Sequence, residues 1–339
     1  MRLLLALALS LAPVAAQAST LLVANKSEAT VSLLDLASGK ISATLPTGKA
    51  PHEIAVSPSG KRALISNYGT REEPGSTLTV IDVPGAKVEK TIDLGDYKRP
   101  HGMVFVAEGR ALVTAEANQA LLVVDVDAGK VLQSIATGQE VSHMVAVTPD
   151  GKRAFVANIG SGTVTAIDLE AGKSLGDIKT GDGAEGIDVT PDGKQVWVTN
   201  RAADTVSVLD ASTLAVSASV PSASFPIRAK VTPDGRHVLV TNAKSGDLAV
   251  FSAADRSLER KVPLALTTEI RTEGRLMAFG DSSVPIGVLV EPSGKRAFVA
   301  HANADEISIV DLSEWKKVGS LTADKEPDGM GYSAVSVGR

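Results

Sequence analysis

One sequence pattern recurs along almost the whole chain, with a base period of 42 residues. Each copy contains a short β-branched run that ends in a polar residue, as in "AFVAN", "VWVTN" and "VLVTN". The polar residues at the ends of the seven runs are Asn25, Asn67, Glu116, Asn158, Asn200, Asn242 and His301, with spacings of 42, 49, 42, 42, 42 and 59. A fixed period of this length predicts a repeat architecture, in which each copy buries its apolar surface against its neighbours.

Each copy is predicted to contain four short antiparallel strands. In the fourth copy, "AFVAN" is followed by a polar turn, by "TVTAIDL", by an "EAGK" turn and by "SLGDIKT". A Gly-rich loop then leads to "EGIDV" and a "TPDG" turn. Short runs that alternate with period two, separated by Gly, Pro, Asn and Asp, indicate strands joined by hairpins. The predicted fold is therefore an all-β, seven-bladed β-propeller with four-stranded antiparallel blades.

The two ends of the repeat region predict how the ring closes. After the first 18 residues the chain begins inside a blade, at "LLVAN", without an inner strand before it. The segment "EPDGMGYSAV" near the C-terminus matches "APHEIAV", which is the inner strand of another copy. We therefore expect the C-terminal strand to complete the N-terminal blade, which removes exposed sheet edges.

The repeat motifs resemble those of a known family. The runs "VWVTN" and "VLVTN", with "TVSVLD" and "VTPDG", are similar to the YVTN-repeat β-propellers, also described as surface-layer-like or cytochrome d1-like propeller proteins. The similarity covers the repeat region from residue 19 onward. It implies the propeller fold and leaves the activity open, because a fold alone does not define a function.

The first 18 residues have a different composition from the rest. Arg2 provides a positive charge, Leu3 to Ala12 an apolar stretch, and Ala16-Gln17-Ala18 a small-residue cleavage site. This arrangement predicts a secretory signal peptide over residues 1–18, followed by the propeller over residues 19–339. We therefore expect a periplasmic or secreted protein that has no transmembrane segment after cleavage.

Composition excludes several classes of site. The net charge is −5 and aromatic residues make up 3%, so neither a basic surface nor stacking residues for nucleic acid are expected. The chain contains no cysteine, which excludes disulfides, thiolate nucleophiles, zinc–thiolate sites and covalent c-type haem attachment. Any bound metal ion must have nitrogen and oxygen ligands.

Two insertions interrupt the 42-residue period. Seven extra residues fall between Asn67 and Thr77, and seventeen fall in "LALTTEIRTEGRLMAFGDSSVPIG". Both are predicted to lie in loops that emerge at the same end of the propeller. Insertions on one face of a repeat protein often form its binding face, so we expect a binding site there.

Three of the five histidines occupy the same position of the repeat, directly after the position that holds a proline in five of the seven copies. The residues at this position are His52, His101, His143, Glu185, Ile227, Ile286 and Asp328. Inner strands surround the channel of a propeller, so these side chains should meet at its mouth. His52, His101, His143 and Glu185 are candidate ligands of a divalent transition metal ion such as Zn²⁺, Mn²⁺, Fe²⁺ or Cu²⁺. Alternatively, each side chain is hydrated separately at a wet channel mouth.

Charged residues at the same rim are candidates for holding a ligand or cofactor. Arginines can bind a carboxylate or phosphate group, and nearby acidic residues can hold the other end of a ligand. The candidates are Arg99, Arg201, Arg228, Glu53 and Asp328. Alternatively, these charges neutralise each other, with Arg228 paired to Glu53 or Glu185.

Three functions remain open from the sequence. The favoured hypothesis is an exported propeller that binds a small molecule, a metal ion or an envelope protein at its elaborated face. A metal-dependent hydrolase or lyase is the first alternative, because related seven-bladed propellers include lactonases and lyases with sites at the channel mouth. Handling of a haem-type cofactor, implied by the cytochrome d1-like resemblance, is the second. Whether the protein is an enzyme stays open, since no base–nucleophile pair is identifiable from spacing.

Overall fold

The computed structural model describes residues 19–270 and 279–338, so the predicted signal peptide lies outside the described residues. Seven four-stranded antiparallel sheets are arranged in a ring, which confirms the predicted seven-bladed all-β propeller. The inner strand of each sheet contacts the inner strands of both neighbouring sheets, and the ring is closed. No helix among the described residues is long and apolar enough to cross a membrane.

We number the blades by the order of their inner strands around the ring. Blade 1 consists of β1 (Thr20–Asn25), β2 (Thr30–Asp35), β3 (Lys40–Pro46) and the C-terminal strand β28 (Pro327–Ser333). Blade 2 consists of β4 (Pro51–Val56), β5 (Arg62–Gly69), β6 (Pro74–Asp82) and β7 (Lys87–Asp93). Blade 3 consists of β8 (Pro100–Ala107), β9 (Arg110–Ala115), β10 (Ala120–Asp125) and β11 (Lys130–Ala136), with a 3-10 turn at Glu116–Asn118. Blade 4 consists of β12 (Ser142–Val147), β13 (Arg153–Asn158), β14 (Thr163–Asp168) and β15 (Lys173–Lys179).

The remaining three blades have the same strand order. Blade 5 consists of β16 (Ala184–Val189), β17 (Gln195–Asn200), β18 (Thr205–Asp210) and β19 (Val216–Pro221). Blade 6 consists of β20 (Pro226–Val231), β21 (His237–Asn242), β22 (Asp247–Ser252) and β23 (Leu258–Pro263). Blade 7 consists of β24 (Pro285–Val290), β25 (Arg296–His301), β26 (Glu306–Asp311) and β27 (Lys316–Thr322).

The hydrophobic core lies between adjacent blades. The two middle strands of each sheet are buried on both faces, so they are continuous apolar runs such as β17, whereas outer strands such as β15 are largely exposed. Val250 of blade 6, for example, packs in one cluster with Val299 of blade 7. Each blade is therefore stabilised chiefly by its two neighbours, as expected for a repeat protein.

The last strand closes the ring as predicted. β28 pairs antiparallel with β1, and Val23 lies opposite Met330 in this pairing. Beyond the strand, the Thr20 hydroxyl donates a hydrogen bond to the Val335 carbonyl, at 2.8 Å. Blade 1 is thus assembled from both ends of the repeat region.

The asparagine at the end of the second strand links that strand to the third. In blade 4, for example, the Asn158 side-chain amide donates hydrogen bonds to the hydroxyls of Thr163 and Thr165, at 3.2 and 3.0 Å. In blade 7, His301 replaces the asparagine, and its Nε2 lies 2.8 Å from the Ser308 hydroxyl. The recurring polar residue of the sequence pattern is therefore a structural link between strands.

The structure corrects the sequence alignment in blade 3. Pro51 lies opposite Asn67, but in blade 3 the matching Pro100 lies opposite Ala115, so the asparagine position is occupied by Ala115. The hairpin between β8 and β9 is one residue shorter than the others, which moves the register by one. The expectation that Glu116 replaces the asparagine was wrong. Glu116 occupies the next position of the repeat.

The residue that precedes each inner strand has a positive φ in all seven blades. These residues are Ala50, Arg99, Val141, Gly183, Phe225, Val284 and Glu326. A positive φ costs energy for residues other than glycine, most of all for β-branched ones, and here it recurs in every copy. The carbonyl of this residue accepts a backbone N–H from the residue that follows the asparagine position, as from Tyr68 to Ala50 at 3.2 Å. This turn fixes where each inner strand begins.

Candidate metal and ligand site at the channel mouth

Two positions of the repeat meet at the mouth of the channel. The first is the inner-strand position, which holds His52, His101, His143, Glu185, Ile227, Ile286 and Asp328. The second follows the asparagine position, and we call it the rim position; it holds Lys26, Tyr68, Glu116, Ile159, Arg201, Ala243 and Ala302. Because the turn described above ties the two positions together in every blade, their side chains lie close together.

A cavity of about 340 Å³ lies at this mouth. Its lining contains residues from both positions and from both insertions. The lining residues are Lys26, His52, Tyr68, His101, His143, Glu185, Arg201, Phe225, Ile227, Arg228, Phe279, Val284, Ile286 and Asp328. Tyr68 belongs to the first insertion, which lengthens β5 and β6, and Phe279 belongs to the second.

The structure brings the three predicted histidines together. The ring centroids of His101 and His143 are 3.6 Å apart, and those of His52 and His101 are 5.1 Å apart. All three side chains are buried. The neighbouring blades therefore form one imidazole cluster, in which the His101 ring contacts both of the other rings.

Hydrogen bonds hold two of these rings in position. His52 Nδ1 lies 2.7 Å from the Ala50 carbonyl, so Nδ1 donates and Nε2 keeps its lone pair. His143 Nδ1 contacts a carboxylate oxygen of Glu116. His101 Nδ1 is buried without a hydrogen-bond partner among the described residues, and His143 Nε2 lies 3.3 Å from Glu185 Oε1.

The protonation of the three imidazoles differs because their neighbours differ. Burial lowers the pKa of His52 well below its ordinary value, and the nearby positive charge of Lys26 lowers it further. Burial likewise lowers the pKa of His101, with a further contribution from His143. Burial alone would also lower the pKa of His143, but the carboxylates of Glu116 and Glu185 outweigh it and raise that pKa. His52 and His101 are therefore neutral imidazoles near pH 7.

Glu116 is the main site residue that the sequence reasoning missed. Its carboxylate contacts His143 Nδ1 and accepts a hydrogen bond from the Tyr68 hydroxyl at 2.5 Å. His101, Glu116 and His143 each place one potential ligand atom within 4.8 Å of the others. The sequence signal that could have revealed Glu116 is its place beside Tyr68 and Arg201 at the rim position, which the one-residue shift in blade 3 obscured.

The other half of the polar cluster is an ion-pair network. Arg228 Nη2 lies 2.6 Å from Glu53 Oε1, and its Nη1 lies 3.0 Å from Glu185 Oε1. Arg201 Nη1 lies 2.7 Å from Glu185 Oε2. The alternative that Arg228 is paired to Glu53 and Glu185 is thus confirmed.

The carboxylate pKa values in this network move in opposite directions. Burial raises the pKa of Glu53, and the nearby Arg228 offsets this only in part. Burial also opposes ionisation of Glu185, but His143 and Arg201 lower its pKa to about 2. Glu185 is therefore a carboxylate that is already balanced by three neighbouring groups, and it lies 3.3 Å from His143 Nε2.

Two further candidates lie at the edge of the site. The Arg99 guanidinium lies over the Tyr68 ring, 4.9 Å from its centroid, and donates to the Thr70 carbonyl at 3.1 Å, so it supports Tyr68 from outside the cavity lining. Asp328 lines the cavity, and its Oδ2 lies 3.5 Å from Lys26 Nζ. Its Oδ1 is buried without a hydrogen-bond partner within the described part of the chain.

Residues 108–233 match the family described as Cytochrome D1 heme domain. The expected resemblance to cytochrome d1-like propellers is confirmed. No curated protein matches the chain.

Two solved structures show the same fold at low sequence identity. Hydrazine synthase from Kuenenia stuttgartiensis has 19% identity and a TM-score of 0.72, with 86% of this chain and 92% of that chain covered. A functionally unknown protein from Desulfotomaculum acetoxidans DSM 771 has 15% identity and a TM-score of 0.75, with 93% of this chain and 98% of that chain covered. At these identities the similarity concerns the propeller fold alone.

Proposed function

We propose that this protein is an exported β-propeller that binds a divalent transition metal ion at the mouth of its channel. His101, His143 and Glu116 supply the ligands, and His52 and Glu185 flank them. The observation that carries this proposal is the buried group of three ligand atoms within 4.8 Å, one each from His101, Glu116 and His143, beside which His101 Nδ1 has no described hydrogen-bond partner. Export is proposed on the signal-peptide pattern of residues 1–18.

His101 Nδ1 is a buried polar atom without a described partner. Such an atom costs about 1–3 kcal/mol, and an ion bound beside it would offset that cost. Imidazole nitrogen and carboxylate oxygen are ligands of Zn²⁺, Mn²⁺, Fe²⁺ and Cu²⁺. The ion would replace the proton between His143 Nδ1 and Glu116, and metal binding to histidine ordinarily releases such protons.

The surroundings of the site match those of known metal centres in kind. Ligands of bound metals are usually held by hydrogen bonds from outside the coordination sphere. Here the Tyr68 hydroxyl donates to Glu116, and the Ala50 carbonyl fixes the neighbouring His52 ring. Three protein ligands leave positions for water or a substrate, where a bound metal acts as a Lewis acid. If the protein is a hydrolase or lyase, its substrate would bind at those open coordination positions.

A haem-type cofactor is a second candidate, because residues 108–233 match the Cytochrome D1 heme domain family. The described residues do not fit it. The cavity of about 340 Å³ lies at the lower end of the range of about 300–1,000 Å³ for pockets of drug-sized ligands. A tetrapyrrole macrocycle also needs a flat slot, whereas three imidazoles and Tyr68 fill one side of this cavity.

Titration of the purified, metal-stripped protein with Co²⁺ tests the proposal, because bound Co²⁺ has a visible absorption spectrum that reports its ligands. We expect one ion per chain, with binding lost in His101→Ala and in His143→Ala. His237→Ala is the matched control, since His237 lies at the opposite end of the propeller, beside Glu259. The absence of stoichiometric binding, or equal loss in the control, would refute the proposal. A haem spectrum in the protein as isolated would favour the second candidate.

A further inference from the structure

We infer that the cavity binds a small carboxylate with an apolar body, whose carboxylate lies between Arg201 and the proposed metal ion. This inference rests on the proposed metal site and assigns the class of molecule that the site takes. The half of the cavity that does not contact the proposed metal ion supports this inference.

The cavity has two halves of different chemistry. Blades 2 to 4 contribute Tyr68 and the three imidazoles, whereas blades 6 and 7 contribute only apolar side chains apart from the ion-paired Arg228. The apolar lining residues are Phe225, Ile227, Phe279, Val284 and Ile286. The rings of Phe225 and Phe279 are in edge-to-face contact, with centroids 5.1 Å apart. A ligand that used the whole cavity would therefore need both a polar end and an apolar end.

The cations at the borders of the apolar half favour a ligand whose polar end is negatively charged. Arg201 of blade 5 lies at one border and Lys26 of blade 1 at the other. Of the three lining cations, Arg228 is held by Glu53 and Glu185, and Lys26 lies between Asp328 and Glu326. Arg201 is the most available of them, because 32% of its side chain is exposed.

Arg201 is also oriented for binding. Its guanidinium lies over the Phe225 ring, 5.3 Å from the centroid, so it packs against the apolar wall. Within residues 19–270 and 279–338, its one side-chain hydrogen bond goes from Nη1 to Glu185. A guanidinium has five N–H donors, so the remaining donors can bind a carboxylate in the two-pronged manner that arginine favours.

A bound metal ion would make the cavity more favourable to an anion. Three cationic side chains of the site, Lys26, Arg201 and Arg228, face four carboxylates, Glu53, Glu116, Glu185 and Asp328, so the charges of these side chains alone do not favour an anion. A divalent ion adds two positive charges a short distance from Arg201, since Glu185 contacts both Arg201 and His143. The metal and the carboxylate should therefore increase each other's affinity, and this coupling must be reciprocal.

The test is a titration of the full chain with Co²⁺ and phenylacetate. Binding is measured by isothermal titration calorimetry and by the Co²⁺ absorption spectrum. Phenylacetamide is the probe without charge, and acetate is the probe without an apolar body. We expect phenylacetate to bind at least about tenfold more tightly than either, to bind more tightly with Co²⁺ present, and to change the spectrum. Arg201→Gln should weaken phenylacetate binding about tenfold or more and leave Co²⁺ affinity within about twofold.

Two matched variants keep the result interpretable. Arg236→Gln removes an exposed arginine from the turn at the opposite end of blade 6 and should change neither affinity. Arg201→Lys keeps the charge but loses the planar fork, so it should show an intermediate affinity if folding is intact. Co²⁺ binding without phenylacetate binding, or phenylacetate binding that ignores both Co²⁺ and Arg201, would overturn this inference and leave the metal site standing. Failure to bind Co²⁺ in the first titration would overturn both.

Discussion

The imidazole cluster and the ion-pair network at the channel mouth are the two polar halves of the site. They differ in whether their buried polar atoms have partners. Around Arg228, each charged group has partners of opposite sign, with Glu53 at 2.6 Å and Glu185 at 3.0 Å. In the imidazole cluster, His101 Nδ1 has no described hydrogen-bond partner, and His143 Nε2 is 3.3 Å from the carboxylate of Glu185. The difference shows which half can gain from a ligand. The ion-pair half contributes stability, and the imidazole half has atoms left to bind an ion.

Substitution of Arg228, the central residue of the ion-pair network, should have the largest effect on the free energy of unfolding. Arg228→Met leaves Glu53 and Glu185 buried near each other without their shared cation. Breaking a buried ion pair by removing one partner costs about 3–5 kcal/mol, so we expect a loss of that size in the free energy of unfolding by urea. Arg236→Gln is the exposed control, with a change within about 0.5 kcal/mol. An Arg228→Met protein of unchanged stability would contradict the assignment of a structural role to this half.

His301 sharpens the comparison, because it is a buried imidazole with both nitrogens partnered. Nδ1 lies 2.9 Å from the Ser283 hydroxyl and Nε2 2.8 Å from the Ser308 hydroxyl. Burial lowers its pKa from 6.5 to about 4; Glu306 acts in the opposite direction and Lys317 in the same direction. His301 is neutral in the folded protein, and the unfolded chain takes up its proton first as the pH falls.

The resulting pH dependence has a definite sign. The stability associated with neutral His301 is fully present above about pH 6.5, is lost progressively as the pH falls to about 4, and changes little below that. The loss should amount to about 3 kcal/mol. Urea unfolding between pH 7 and pH 4, with His301→Asn as the comparison, measures it. The variant restores the asparagine of five other blades, so it should lose less stability over this range. Identical pH profiles for the two proteins would show that His301 does not contribute.

Glu116→Gln tests the proposed carboxylate ligand. Glu116 contacts His143 Nδ1 and accepts a hydrogen bond from the Tyr68 hydroxyl. The amide keeps the shape of the side chain but removes its charge, so Co²⁺ affinity should fall about a hundredfold while the protein stays folded. Equilibrium dialysis against Co²⁺ measures the change. Glu108→Gln, at the exposed turn between β8 and β9, is the matched control. Wild-type affinity in Glu116→Gln would remove this carboxylate from the ligand set.

Tyr68→Phe should have the smallest of these effects. The Tyr68 hydroxyl donates to Glu116 at 2.5 Å, and its ring lies 4.4 Å from that of His52, between centroids. Loss of the hydroxyl keeps the ring contact but frees the carboxylate, so Co²⁺ affinity should fall about tenfold, as for other groups that orient metal ligands. Thermal unfolding of the metal-free variant should change little. If Tyr68→Phe lowered the unfolding temperature but left the Co²⁺ affinity unchanged, Tyr68 would be a structural residue and would not orient a metal ligand.

Much of the architecture could be predicted because the sequence repeats it. Seven copies of a four-strand pattern define the blades, and the incomplete first copy predicts the closing role of β28. The same repetition located His52, His101 and His143 at one shared space, because residues at equal positions in adjacent blades must be neighbours. The assignment of residues 1–18 as a signal peptide stays a prediction.

The site could be predicted only in part, for physical reasons that concern single residues. Glu116 was placed one position too early, since the shorter hairpin of blade 3 is visible only in the strand pairing. Tyr68 occupies the rim position, but it lies in the segment that carries the first insertion, and the periodic pattern did not single it out. The sequence allowed Arg228 to bind a ligand or an acidic neighbour, and only the distances to Glu53 and Glu185 decide between them.

The left-handed residue before each inner strand has a consequence for engineering. Because the backbone determines where the next side chain points, the identity of that side chain can vary without moving its attachment point. Ile227 and Ile286 occupy positions equivalent to those of the histidines. Histidines substituted there would reach the same cavity from its opposite wall. The propeller thus provides seven equivalent attachment points around one axis, and three of them hold a histidine.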